Sequence, residues 1–267
     1  MSPEQIRQYL EYYRDLGITH LNLPSVPKVV APTVVATPVV APAAAVIAAP
    51  KVSPETKPLM ELKLPTLAPE GDTLAKIRED IGDCKRCRLC QGRNSIVFGS
   101  GNENARVVFV GEAPGADEDE QGLPFVGRAG QLLTQMIDGT AAKDNLPLRR
   151  QDVYICNVVK CRPPDNRTPQ PDEMEVCGQF LFRQLMVLKP KAICALGATA
   201  AKALLNSKEG VTKMRGNWQR WHGIPLLVTY HPSYLLRAYN VEAKKEAWLD
   251  LRKLFHFVLD ESRTEPE

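Results

Sequence analysis

No loop in this chain carries the lysine that a phosphate cradle needs. The pattern G-x-x-x-x-G-K-[ST] is absent throughout, and G-x-G-x-x-G is missing from the glycine turn that follows its clearest strand-like run. Both absences weigh against a nucleotide-cofactor reading. Histidine is scarce, four in 267 residues, so a histidine at a strand end stands out. An apolar leader is lacking too: Glu4, Arg7, Glu11 and Asp15 crowd the first turns, so no secretory signal and a cytoplasmic setting are expected. In a reducing cytosol, seven cysteines, an odd number, suggest metal rather than disulfides. A large excess of either charge is also lacking. The net charge is +3, with 28 Lys+Arg against 24 Asp+Glu over residues 73–267, which is compatible with a polyanion partner without requiring one. No repeat of fixed period is visible, and 44% hydrophobic residues is ample for a core.

Residues 29–50 carry no charge at all. Prolines at 32, 38, 42 and 50, many alanines and no terminal Trp or Tyr argue for an extended polyproline-like tether rather than a membrane span. Ahead of it, Ser2-Pro3-Glu4-Gln5 is a helix start, and Ile6, Tyr9, Leu10, Tyr13 and Leu16 recur at helical spacing before Gly17. So short an amphipathic helix cannot stand alone; it docks on the main domain or binds a protein partner. The expected organisation is a helix over 1–23, a disordered linker over 24–70 and a catalytic-looking domain over 71–267.

That domain is organised around Gly111-Glu112-Ala113-Pro114-Gly115-Ala116-Asp117-Glu118-Asp119, running on to Pro124-Phe125-Val126-Gly127. The stretch follows the apolar run Val107–Val110 and precedes an amphipathic helix, so it reads as a loop delivered to a sheet's carboxyl edge, where ligands bind. Its carboxylates repel phosphate, and its glycines allow close backbone approach. Around it the pattern predicts helices over 73–82, 127–139, 171–189, 198–206 and 241–260, with strands over 106–111, 152–159, 192–196 and 225–230. Strands alternating with helices predict an α/β fold, a three-layer α/β/α sandwich with a central four-stranded parallel sheet.

Cys84-x2-Cys87-x2-Cys90 lies in a loop, while Cys161 and Cys177 flank a helix start. Four thiolates suit a tetrahedral zinc or an iron–sulfur cluster, and the spacing alone does not name the metal. Cys156 and Cys194 lie inside predicted strands and read as small hydrophobes. Asn157, at the end of an apolar strand, is costly to bury unless its amide is used, as a recognition group or as a satisfied structural one. His231 ends the last strand with Pro232 stiffening the turn. Leu235 and Leu236 read as exposed apolar residues beside Arg237, which suits either a wedge for a base stack or helix-start packing. Lys85, Arg86, Arg88 and Arg93, and separately Lys213, Arg215 and Arg220 near Trp218, read as a phosphate track or as plain solvated surface.

Taken together, the Gly111–Asp119 loop, Pro124–Gly130, Asn157–Pro164, Asn166–Pro169 and His231–Arg237 resemble the family-4 uracil-DNA glycosylases, the iron–sulfur branch of that superfamily. The likeness covers about residues 74–255. It implies hydrolysis of the N-glycosidic bond of uracil flipped out of DNA, leaving an abasic site that starts base excision repair. It implies a [4Fe-4S] cluster on Cys84, Cys87, Cys161 and Cys177, with Cys90 outside the set. Phe125 would stack on the base, Asn157 would pair with its Watson–Crick edge, and His231 would face O2. Glu112, Ala113 and Pro114 would line the pocket. Glu112 or Glu118 would stabilise the sugar cation or orient water, and Glu118 would crowd the C5 position. Leu235, Leu236, Arg237 and Arg215 would contact DNA. The expected protein is a monomer acting on uracil-containing DNA, without a membrane. Two rivals are a relative that crosslinks to the abasic sugar through a histidine, disfavoured because residues 157–171 hold none, and a non-catalytic four-cysteine module that binds DNA.

Overall fold

Six strands form one sheet: β1 (Ser100–Gly101), β2 (Val107–Gly111), β3 (Tyr154–Asn157), β4 (Ala192–Leu196), β5 (Trp218–Trp221) and β6 (Ile224–Thr229), in the order β1-β3-β2-β4-β6-β5. The computed structural model describes residues 69–207, 209–237 and 240–266, within the unit Thr66–Glu267. The helix expected over 1–23 and nearly all of the linker expected over 24–70 lie outside the described residues.

The four central strands, β3, β2, β4 and β6, are parallel, as the alternation of strands and helices predicts. The edges differ from expectation, because β1 and β5 add short antiparallel strands. β5 turns into β6 through His222 and Gly223, both at positive φ, the geometry of a tight hairpin. A His-Gly turn carries little of the Asn-Gly signal, which is why the sequence pattern shows only the second strand.

Every residue of β2 is buried, as both faces of a covered parallel sheet require. Its side chains alternate between two cores. Val108 and Val110 join Ile77, Phe180, Leu181 and Ala201 on one side. Val107 and Phe109 join Leu133, Ile137, Leu251 and Phe255 on the other. The first core is covered by α1 (Leu74–Ile81), α4 (Pro171–Leu188) and α5 (Gly197–Leu205), the second by α3 (Arg128–Lys143) and α8 (Val241–Leu259). Three short helices complete the order: α2 (Ala116–Gln121), α6 (Val211–Met214) and α7 (Pro232–Leu235).

Local chemistry sets the long helices. Thr73 caps α1 by accepting the Lys76 N–H at 3.1 Å, and Pro171 opens α4 with Glu173 reaching back to the Gln170 N–H. Among the described residues no helix is long and apolar enough to cross a membrane.

Candidate active site

The parallel strands end in register, with Gly111 beside Asn157 and Leu196 beside Thr229, so the loops that follow converge at one edge. Three side chains singled out in the sequence meet there. Asn157 is 1% exposed, and its buried Oδ1 has no hydrogen-bond partner among the described residues. Phe125 is buried, and its ring lies 5.6 Å, centroid to centroid, from that of His231. Glycine makes the convergence possible. A Cβ on Gly111 would lie 2.4 Å from Asn157 Oδ1 and 2.6 Å from the Phe125 ring. Gly197, at φ 88°, would place a Cβ 3.0 Å from that of His231.

His231 caps α7, and its Nδ1 accepts the Ser233 N–H at 3.2 Å, with Ser233 Oγ 2.8 Å away. Protein encloses most of the ring although its surface is only half-buried, and burial pushes its pKa down to about 4. The imidazole is therefore neutral at pH 7. With Nδ1 accepting, the single ring proton sits on Nε2, which makes that atom a donor.

The acidic loop is braced by its own carboxylates. Glu118 Oε1 accepts the N–H groups of Val126 and Gly127, each at 2.9 Å, and Oε2 accepts that of Gly115 at 3.0 Å. Asp119, fully buried, accepts the N–H groups of Asn94 and Ser95 and so ties α2 to the cysteine loop. Among the described residues, Glu112 is engaged at one oxygen only, by the Thr199 hydroxyl. Pro114 is buried, while Ala113 and Glu112 are half-buried.

Behind Asn157 lies a second feature. Cys84, Cys87, Cys161 and Cys177 line one cavity, together with Arg93 and Lys160. Cys90 does not line it. Arg93 donates to Cys161 Sγ at 3.5 Å and to the Cys84 carbonyl at 2.6 Å, and the Lys160 N–H points at Cys177 Sγ at 3.3 Å. Burial raises the thiol pKa of Cys87, of Cys161 and of Cys177, the last to about 12. Among the described residues no three His, Cys, Asp or Glu side chains stand together as ligands of a single ion.

The uracil DNA glycosylase superfamily model matches residues 98–252, from the cysteine-loop exit to α8. The chain is 46% identical to a type-4 uracil-DNA glycosylase of Thermotoga maritima over 69% of this chain and 94% of that protein. It is 43% identical to one of Sulfurisphaera tokodaii over 72% of this chain and 88% of that one, and 41% identical to one of Archaeoglobus fulgidus over 68% and 92%. The chain belongs to the uracil-DNA glycosylase superfamily. These three relatives carry the type-4 name.

For a member of this superfamily, the rim of the edge departs from expectation in two places. Leu235 is buried at 1% exposure, whereas Leu236 is 42% exposed. Neighbours in a helical turn point about 100° apart; here Leu235 turns into the protein and only Leu236 is displayed. Arg237 is exposed beside it, its guanidinium 5.9 Å from the Tyr234 ring. Arg215 is not on an open basic track. Its guanidinium is bound to Asp250, at 2.6 and 3.0 Å, and to Glu246 at 3.2 Å, and it faces the Tyr230 ring. Asp250 is 2% exposed and also accepts the Thr229 hydroxyl, so Arg215 secures the strand end that leads to His231. Arg93 likewise turns inward to the cysteines, its side chain 8% exposed.

Three partners of this superfamily site went unread in the sequence. Thr199 holds Glu112. Lys160, 1% exposed, donates to the Asn157 carbonyl at 2.8 Å and to Gln184 Oε1 at 2.6 Å, and Gln184 in turn reaches the Phe98 carbonyl. Arg150 grips the carbonyls of Pro124 and Phe125. A lysine directly after the apolar pair Val158-Val159 was a readable sign, since a buried lysine needs partners; Thr199 and Arg150 had none.

Proposed function

We propose that this chain is a uracil-DNA glycosylase, hydrolysing the N-glycosidic bond of a uracil flipped out of DNA, and that residues 71–267 are its catalytic domain. The observation that carries the site assignment is the buried, unpartnered Asn157 Oδ1 beside the Phe125 ring. A buried acceptor without a partner is costly, and a ligand donor removes that cost. Uracil N3–H is such a donor, and the Asn157 amide N–H can reach O4. Cytosine presents an acceptor at N3 and a donor at C4, so it meets this amide with both groups reversed, a mismatch of about 1–3 kcal/mol. Phe125 supplies the stacking face on which the flipped base rests.

Cleavage breaks the C1′–N1 bond with its electron pair leaving on the base. The sugar becomes oxocarbenium-like, and the uracil anion carries charge on O2. His231, neutral and protonated at Nε2, donates a hydrogen bond toward that oxygen, an oriented donor of the type worth several kcal/mol where charge develops. Glu112 keeps one carboxylate oxygen unengaged among the described residues; it stabilises the sugar cation and orients the water that adds at C1′, whose proton passes through the carboxylate to the departing uracil anion. Glu118 has both oxygens committed to loop N–H groups. It acts as a positioning residue, and the pocket wall it braces crowds the C5 position. Leu236 and Arg237, displayed together at the rim, contact the DNA from which the base is drawn.

The four cysteines suit an iron–sulfur cluster. Four cysteines lining one cavity supply the four thiolates that such a cluster takes. Thiols this buried become ligands once a metal replaces their protons. The cluster would tie the Asp83–Cys90 loop to the Asn157–Cys161 segment and to α4; it supplies structure rather than a chemical step.

Incubating the purified protein with a uracil-containing oligonucleotide and then with alkali is the direct test. Strand breakage at uracil alone is expected. Normal DNA binding without breakage would remove the glycosylase reading in favour of a non-catalytic DNA-binding module.

A further inference from the structure

Phe125 holds a backbone conformation that side chains seldom adopt, with φ at 55°. Something must keep it there, and the structure shows a two-sided clamp. The peptide plane between Phe125 and Val126 has its carbonyl held by Arg150 Nη2 at 3.0 Å and its N–H held by Glu118 Oε1 at 2.9 Å. A cation on one end and an anion on the other fix the orientation of that plane, and with it the direction of the Phe125 ring. Arg150 Nη2 also takes the Pro124 carbonyl at 3.0 Å, so one nitrogen bridges successive carbonyls.

Arg150 is itself anchored on the element behind. Nη1 donates to Thr134 Oγ1 at 3.2 Å and to the Gly130 carbonyl at 3.4 Å, and its main-chain N–H donates to Asp138 Oδ1 at 2.8 Å, all on α3. Gly130 is packed so close that an added Cβ would lie 1.9 Å from the Phe125 carbonyl oxygen. Among the described residues no carboxylate forms an ion pair with the guanidinium. Its guanidinium is committed to the carbonyls of Pro124, Phe125 and Gly130 and to the Thr134 hydroxyl. A half-buried arginine held by carbonyls and a hydroxyl is unusual, because pairing with a carboxylate is the ordinary way to satisfy one.

We propose that Arg150 is the positioning residue for base stacking, acting through the main chain of Phe125 to hold its ring against the flipped base. This deepens the uracil-DNA glycosylase reading and rests on it. A lysine cannot replace it fully, since a single ammonium lacks the planar fork that spans Pro124, Phe125 and α3 at once.

The test is a double-mutant cycle in single-turnover excision, with Arg150→Met, Phe125→Ala and the pair. Arg150→Met should slow excision about ten-fold or more, as loss of orientation in a site does, with little change in the KM for DNA. In the Phe125→Ala background the same substitution should change the rate less than about two-fold, because the group it acts through is gone. Affinity for abasic-site DNA, which has no base to stack, should stay at the wild-type value, and Arg150→Lys should recover part of the rate. Should Arg150→Met not accumulate as folded protein, Arg150→Lys takes its place in the cycle with the same criteria. An unchanged rate in the single variant, or an equal loss in both backgrounds, would overturn the role. Wild-type protein inactive on uracil DNA would instead remove the glycosylase reading itself.

Discussion

The pocket at the sheet's carboxyl edge and the cysteine cavity behind it share one stretch of chain, residues 157–161, yet they are built on opposite terms. In the pocket, backbone is held tightly while selected side-chain atoms are left unpaired: Asn157 Oδ1 has no partner and Glu112 uses one oxygen. In the cavity, the side chains that matter are thiols, those of Cys161 and Cys177 buried and those of Cys84 and Cys87 half-buried, with donors from Arg93 and Lys160 among them. A recognition site keeps its unmet valence for a ligand that comes and goes. A site for a resident group can bury its ligands deeply, because they need never meet water. Lys160 touches both, through the Asn157 carbonyl on one side and Cys177 on the other.

The largest effect is expected at the cysteines. Cys161→Ala should bleach the protein, lower its thermal midpoint sharply and abolish excision, since the segment bearing Asn157 loses its anchor. Cys90→Ala, which lies off the cavity, should leave both iron absorbance and melting unchanged. Full cluster content in Cys161→Ala, read from visible absorbance and iron analysis, would undo the ligand assignment.

Pocket variants should do the reverse, costing chemistry and leaving the cluster intact. His231→Ala should slow single-turnover excision by about 10²–10³-fold, the range for losing one oriented donor at developing charge. Asn157→Asp should weaken excision of uracil and admit some cytosine, whose exocyclic amine can donate to a carboxylate. Wild-type rates in both variants would move the site elsewhere.

The smallest effect concerns acidity. Burial holds the His231 pKa at about 4, against an ordinary 6.5. The donor form therefore persists through pH 5–8, and no histidine step should mark the single-turnover profile there. The sign for stability follows: between 6.5 and 4 the unfolded chain takes up a proton that the folded ring refuses, so acidification through that window destabilises the fold, and the loss is absent above it. An NMR titration of the His231 ring with a midpoint near 6.5 would contradict this.

Much of this was legible locally. The four parallel strands follow from apolar runs that alternate with helical periodicity, and the loop at Gly111 follows from glycine and proline placed after such a run. Asn157 and His231 stood out as polar residues at strand ends, and strand ends of a parallel sheet are brought to one edge by topology. The cysteine spacing pointed to a shared site, and four of the five named thiols line one cavity.

What the sequence alone determined was therefore whatever depends on neighbours in the chain: periodicity, turn chemistry, and which residues end a strand. Tertiary structure decided which partner each side chain meets. Leu235 turned inward while Leu236 faced out. Arg215 was taken by Asp250, thirty-five residues away, instead of a phosphate track. Glu118 was taken by its own loop, leaving Glu112, held by Thr199, as the carboxylate with a free oxygen. Arg150 came to rest behind Phe125, twenty-five residues earlier. The physical reason is that a charged or polar side chain fits equally well, as far as its local sequence tells, on solvent or on a buried partner. Only the packing of distant elements removes the water and leaves one partner in reach.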